Sequence, residues 1–161
     1  MLFRSVITGQ ATIGIELMAQ LARASVVVVP IGGGGLISGI ATALHALGSP
    51  ARIIGVQAAG CDAVRPSLAA GQPVRVDAVR TIADGIAVKQ PGDITLPIIK
   101  AHVHTVVTVD DDQIAAAITH AARALHLVVE GAGAAGLAAL LAGVVPLQPD
   151  DVVCNVLCGG N

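Results

Sequence analysis

Ser25-Val26-Val27-Val28-Val29-Pro30-Ile31-Gly32-Gly33-Gly34-Gly35-Leu36 is the stretch that decides the fold. Four consecutive valines, β-branched and without a polar interruption, make the kind of strand that is covered on both faces inside a parallel sheet. After the glycines, Leu36, Ile40, Ala43, Leu44 and Leu47 recur at helical spacing until Gly48 and Pro50 supply a stop. Strand, glycine loop and helix in that order place unpaired N–H groups and the positive helix end at the C-terminal edge of the sheet. Glycine lets those donors approach an anion without a side chain in the way and accepts the positive φ values that an anion-cradling turn uses. A tight turn alone needs one or two glycines; four predict a phosphate cradle. The loop lacks the Gly-Lys-Ser/Thr ending of a Walker motif, so nucleotide triphosphate hydrolysis is not supported.

Outward from this motif, helical and extended patterns alternate without a long polar linker or an internal repeat. That order predicts one α/β domain, an open, mainly parallel twisted sheet with helices on both faces. Residues 12–22 read as a helix and 52–57 as the next strand. A short helix near 61–70, a Gly71-Gln72-Pro73 turn and loop chemistry from Thr81 to Gly92 follow. Val103 to Val109 reads as extended. Asp110 opens a helix with Gln113 three residues on, a capping-box spacing, and Ile114, Ile118 and Leu125 share one face. A short extended piece at Leu127 to Val129, a helix around 133–142 and a terminal strand at 151–157 complete the pattern.

The 161 residues suit a single domain, which at this size buries about two thirds of its unfolded surface. Hydrophobic residues make up 54%, charged residues 12% and aromatics 1%, so Ala, Val, Leu and Ile must fill the core. A net charge of −2, no basic run and no stacking aromatics argue against nucleic acid as a partner. Gly131 to Pro149 carries no charge and is nearly long enough to span a bilayer. Its glycines and closing prolines favour a buried helix and turn, with no membrane partner. The segment Met1-Leu2-Phe3-Arg4-Ser5 has no apolar core of signal-peptide length, which predicts a cytoplasmic location. Cys61, Cys154 and Cys158 form no CxxC pair, and reduced thiols are expected.

With these elements in place, Val28 to Ala41 resembles the tetraglycine loop of threonine dehydratase and its serine dehydratase and serine racemase relatives, fold type II pyridoxal-phosphate enzymes. Gly9-Gln10-Ala11-Thr12-Ile13-Gly14, Thr81-Ile82-Ala83-Asp84-Gly85-Ile86-Ala87-Val88 and Val128-Val129-Glu130-Gly131-Ala132-Gly133-Ala134 look like further family segments in family order. The resemblance runs almost end to end. It implies pyridoxal 5'-phosphate as cofactor, threonine or serine as substrate, and β-elimination of water giving 2-oxobutanoate or pyruvate plus ammonia. Gly32, Gly33, Gly34, Gly35 and Leu36 would hold the cofactor phosphate. Cys158, in Cys158-Gly159-Gly160-Asn161, falls where the family sets a serine or cysteine against the pyridine nitrogen. A neutral thiol there makes the ring a weaker electron sink, suited to eliminating a β-substituent. Glu130 matches an acidic residue near the cofactor, with helix capping as its plainer role. Asp84 and Gly85 stand in a loop that approaches the cofactor in relatives, although Asp84 could equally order its own turn.

The resemblance also has gaps. It implies a lysine that forms a Schiff base with the cofactor, and in relatives that lysine lies in an N-terminal half. Lys89 and Lys100 stand in no matching segment and read as solvated surface residues. The chain therefore reads as a partial cofactor-binding domain, self-associating or complemented by a lysine-bearing half, without a C-terminal regulatory domain. Relatives bind a cation partly through a glutamate whose place here is Gln57, with Cys61 and Ala63 nearby, so a metal is not expected. Two other readings stay open: a non-catalytic phosphate-binding or interaction domain, and a dinucleotide-binding module. The second rests on Gly131-Ala132-Gly133-Ala134-Ala135-Gly136, which fits GxGxxG, with Asp150 following. Against it, the preceding strand is short and Glu130 would repel a pyrophosphate.

Overall fold

A computed structural model describes residues 2–160, with side chains from Arg4 onward. Met1 and Asn161, the latter part of the Cys158-Gly159-Gly160-Asn161 segment, lie outside the described residues. The four valines form β1 (Val26–Pro30), flanked by β2 (Arg52–Ala58) and β4 (Val153–Asn155), and β3 (Thr105–Val109) pairs with β2. Every pairing is parallel and the order is β3-β2-β1-β4. Val26 and Val28 face one layer, with Ile54, Val56 and Ile114, while Val27 and Val29 face the other, with Ile37, Ile40 and Ile99. All four are at most 1% exposed. The run is continuous because the strand has two covered faces, and burying each valine contributes roughly 1.5–3 kcal/mol relative to leaving it in water.

Helices α1 (Leu2–Gln20), α2 (Gly35–Ala46), α3 (Val64–Ala70) and α4 (Thr95–His102) supply one layer; α5 (Asp111–His120) and α6 (Gly131–Leu141) supply the other. The doubly covered parallel sheet matches the sequence-based expectation. At the start of α5 the capping box is complete: Gln113 N–H donates to Asp110 Oδ1 at 2.8 Å and Asp110 N–H to Gln113 Oε1 at 2.9 Å.

Four elements differ from expectation. Helix α1 starts ten residues before the predicted 12–22, because β-branched Val6, Ile7 and Thr8 with Gly9 hide a helix that tertiary packing holds. Its Gly14 and the Gly39 of α2 let the two backbones touch: a Cβ on Gly39 would lie 2.6 Å from the Ile7 carbonyl. Helix α4 was not predicted. Its Pro97 sits in the first turn, where a missing N–H costs no hydrogen bond. Leu127 to Val129 forms no strand, and Val128 is 85% exposed. Beyond α5 the chain turns through a π-helical segment, Ala121–Leu125, which rotates Leu125 off the Ile114 face and leaves it exposed.

Helix α6 is buried on nearly every side, and its alanines and glycines set how closely it approaches the strand ends. The uncharged stretch from Gly131 thus ends as an eleven-residue helix. Among the described residues no helix is long and apolar enough to cross a membrane. Gly133 lies directly against the carbonyl of Cys158, with the Gly159 carbonyl oxygen 2.8 Å from where its Cβ would stand. Replacing Gly133 by Ala should therefore lower the unfolding free energy by about 1–3 kcal/mol, the range for overpacking a close contact. Urea unfolding measures this, and an unchanged midpoint would refute the close approach.

Candidate functional site

The chain leaves β1 at Ile31 and enters the glycine loop. Gly34, at φ 91°, is the N-cap of α2, and a Cβ there would stand 2.8 Å from the Thr95 side chain. Thr95, fully buried at the start of α4, has its hydroxyl 2.7 Å from the Gly33 carbonyl, which also accepts the Gly92 N–H at 3.3 Å. The Gly34 carbonyl accepts the Ser38 N–H at 3.0 Å. In a trans peptide the C=O and the following N–H point in opposite directions. With the Gly33 carbonyl tied to α4, the N–H of Gly34 turns the other way, toward the cavity that the loop lines.

That cavity has a volume of about 460 Å³. Gly32, Gly33, Gly34, Gly35 and Leu36 form one side, Gly85 and Ile86 another, and Glu130, Ala132, Cys158 and Gly159 the third. Nine of the ten residues singled out by sequence therefore meet at one place, although they come from four separated stretches. The tenth, Asp84, does not line it; its carboxylate accepts the Gly85 N–H at 2.9 Å and orders its own turn. Sequence reading missed Val6, Gln10 and Ile13 of α1, which also line it, along with Ile86 and Ala132. The first of these fell in the part of α1 not read as a helix; Gln10 and Ile13 belonged to a matched segment but were given no site role.

Glu130 is the N-cap residue of α6 but makes no side-chain cap. Its carboxylate instead lies against Gly85 and Gly159, and its backbone N–H donates to the Gly159 carbonyl at 3.2 Å. Half-buried Cys158 sits close enough to feel this charge. Burial first, and the Glu130 carboxylate second, push its thiol pKa up against a smaller opposing effect of its own backbone hydrogen bond. The group at the cavity edge is thus a protonated, neutral thiol at neutral pH. Lys89 and Lys100 are exposed and outside the cavity lining.

The dinucleotide reading loses its structural context. Among the described residues no strand runs directly into Gly131, and Gly131, Gly133 and Gly136 abut the Ile82 carbonyl, the Cys158 carbonyl and the Asn155 side chain. Asp150 adjoins Asp151, which pairs with Arg52 at the start of β2, so it sits at the opposite edge of the sheet from the glycine loop. These glycines serve packing.

At the position that resemblance gives to a cation, the donor set does not suit one. Gln57, inside β2 and fully buried, points its amide nitrogen at the carbonyls of Ile31 and Cys61. The Cys61 thiol donates to the Val88 carbonyl at 3.2 Å, and burial raises its pKa, so it is no thiolate. Ala63 brings only a methyl group and a carbonyl already held by the Ser67 hydroxyl at 2.6 Å. A hard divalent ion wants charged oxygens, and these three side chains supply none.

Known proteins resemble this chain over nearly its whole length. A family model described as "Pyridoxal-phosphate dependent enzyme" matches residues 4–159. An L-threonine ammonia-lyase from Geobacter sulfurreducens is 48% identical over 156 residues, covering 97% of this chain and 39% of the relative. Among solved structures, a threonine deaminase from T.th. superposes with a TM-score of 0.90 at 37% identity, covering 96% of this chain and 58% of that one. Maize serine racemase gives a TM-score of 0.90 at 36% identity, covering 96% and 48%. The chain spans between two fifths and three fifths of the length of these relatives.

Replacing Glu130 by Gln removes the second-largest influence raising the Cys158 pKa, so Cys158 should be alkylated faster between pH 7 and 9. Peptide-resolved mass spectrometry after iodoacetamide treatment checks this. Cys154, whose thiol is raised by burial alone, serves as the internal control whose rate should hold.

Proposed function

The chain belongs to the family of pyridoxal-phosphate-dependent enzymes, and from that membership we propose that it is the phosphate-holding part of a threonine or serine ammonia-lyase. The observation that carries this reading is the convergence of the glycine loop, Glu130 and Cys158 on one cavity. When bound, pyridoxal phosphate supplies a conjugated ring that accepts electrons as a β-substituent leaves the substrate. The residues of this chain hold and orient it. Backbone N–H groups of Gly32 to Gly35 and the N-terminal end of α2 receive the phosphate. The neutral Cys158 thiol would face the ring nitrogen without placing a charge beside it, and Glu130 helps keep that thiol protonated. Val6, Ile13 and Ile86 supply apolar walls. The overall reaction eliminates water from L-threonine or L-serine to give an enamine, whose imine form takes up a water and releases ammonia, leaving 2-oxobutanoate or pyruvate.

We assign the lysine that bonds to the cofactor to a segment outside residues 1–161, in the same polypeptide or a complementing one, since neither Lys89 nor Lys100 lines the cavity. The same observation favours one second reading, a domain that binds the cofactor without turning it over. Exposed apolar side chains such as Ile15 at 56% and Val128 at 85% support self-association or a partner chain.

Titration calorimetry should show pyridoxal phosphate binding far more tightly than pyridoxal, and Gly34→Ala should weaken it at least about tenfold, or 1.4 kcal/mol. Equal binding of the two ligands would remove the phosphate grip. Assays for 2-oxobutanoate from threonine should be blank for the 161-residue chain and positive once a lysine-bearing N-terminal half of a relative is added. Turnover by the chain alone would place the lysine within it; binding without turnover in the complemented mixture would favour the second reading. Light scattering at high concentration should show assemblies, and a clean monomer would count against association.

A further inference from the structure

We propose that the Gln57 carboxamide does in this chain what a bound cation would do, bracing the start of the glycine loop against the turn after β2, so that the loop is held without a metal ion. Gln57 is fully buried and sits one residue before the end of β2. Its Oε1 accepts the Val64 N–H at 2.8 Å, at the first residue of α3, and that bond settles which end of the amide is which. The NH₂ end must then face the two carbonyls beside it, Ile31 O at 3.5 Å and Cys61 O at 3.4 Å. Ile31 directly precedes Gly32, and its own N–H donates to the Val56 carbonyl at 2.7 Å. One side chain therefore joins the entry of the glycine loop, the turn Ala59–Cys61 and the start of α3.

The electrostatics favour an amide over a carboxylate here. An NH₂ group presents positive hydrogens to two carbonyl oxygens, as a cation does, and its own oxygen is already satisfied. A glutamate carboxylate at the same place would aim a negative oxygen at both carbonyls, a repulsion that a bound cation or protonation of the carboxyl removes. Cys61 and Ala63 give such an ion no charged ligand, whereas the neutral amide needs none. One acceptor nearby remains open to a different outcome. Asp62 pairs with Arg65 through Oδ2, and its buried Oδ1 has no hydrogen-bond partner among the described residues.

The bracing is a property of the chain without cofactor, so its test stands apart from the proposed reaction. Thermal unfolding of the wild-type chain should be unmoved, within about 1 °C, by 5 mM Ca²⁺ or Mg²⁺ against sodium chloride of equal ionic strength. Gln57→Glu should unfold about 5–15 °C lower, and either divalent ion should restore at least half of that loss. Its affinity for pyridoxal phosphate should fall about tenfold without the ion and return with it, a response that a purely structural residue would not give. Gln57→Met, similar in size but unable to bridge, should lower both stability and cofactor affinity with no rescue by ions, and it decides the matter should the glutamate variant not fold. Cation stabilisation of the wild type would overturn the proposal, and its loss in Asp62→Asn would place the ion at Asp62. A glutamate variant as stable as wild type, one that ions do not restore, or a methionine variant with unchanged melting and affinity would each overturn it too.

Discussion

The hydrogen bond from the Thr95 hydroxyl to the Gly33 carbonyl is the constraint on which the site depends. Four successive glycines lose more conformational freedom on folding than any other four residues would, so the loop cannot keep one shape unaided. Its order comes from α4, sixty residues further along, through Thr95 and the Gly92 N–H. Once the Gly33 carbonyl is committed to that side, planar peptide geometry turns the next N–H toward the cavity. Thr95 also sits where a side chain on Gly34 would have to go, so the left-handed residue and the buried threonine require each other.

The opposite wall is positioned by size. Helix α6 approaches the ends of the strands closely because its facing residues are glycine and alanine, and it carries Glu130 at its N-cap to within contact of Gly159. A composition with 1% aromatics is what such spacing needs, since a bulky side chain at this layer would move the helix and widen the gap between Glu130 and the glycine loop. Packing and electrostatics meet there: the close approach that half-buries Cys158 also brings the carboxylate near it, and both influences keep the thiol neutral.

Much of this was legible in the sequence because it rests on local chemistry. The valine run, the helix spacing after the glycines and the Asp110–Gln113 capping box are each set within a few residues, and each stands where it was expected. What was hidden depends on contacts distant in sequence. The first half of α1 is held by the face of α2, and α4 accommodates a proline in its first turn. At residues 127–129 an extended pattern forms no strand. The glycines of residues 131–136 show the converse error, a ligand-binding pattern produced by backbone contact with Ile82 and Cys158. Residue type alone does not separate a glycine that admits a phosphate from one that admits a carbonyl.

The character of the cavity follows from how few charges line it. Among the described residues Glu130 is the one carboxylate that lines it, and no lysine or arginine does. Attraction for an anion must then come from peptide dipoles at the start of α2, which are fixed by the backbone and independent of pH. A site built this way holds a phosphate through groups that take no part in proton transfer. The parts that set cofactor affinity, residues 32–36 with their anchor at Thr95, are consequently separable from the group that would bond to the cofactor. On the reading proposed here, grip and chemistry lie on different stretches of polypeptide, and the grip can persist, folded and selective for phosphate, whether or not the chemistry is joined to it.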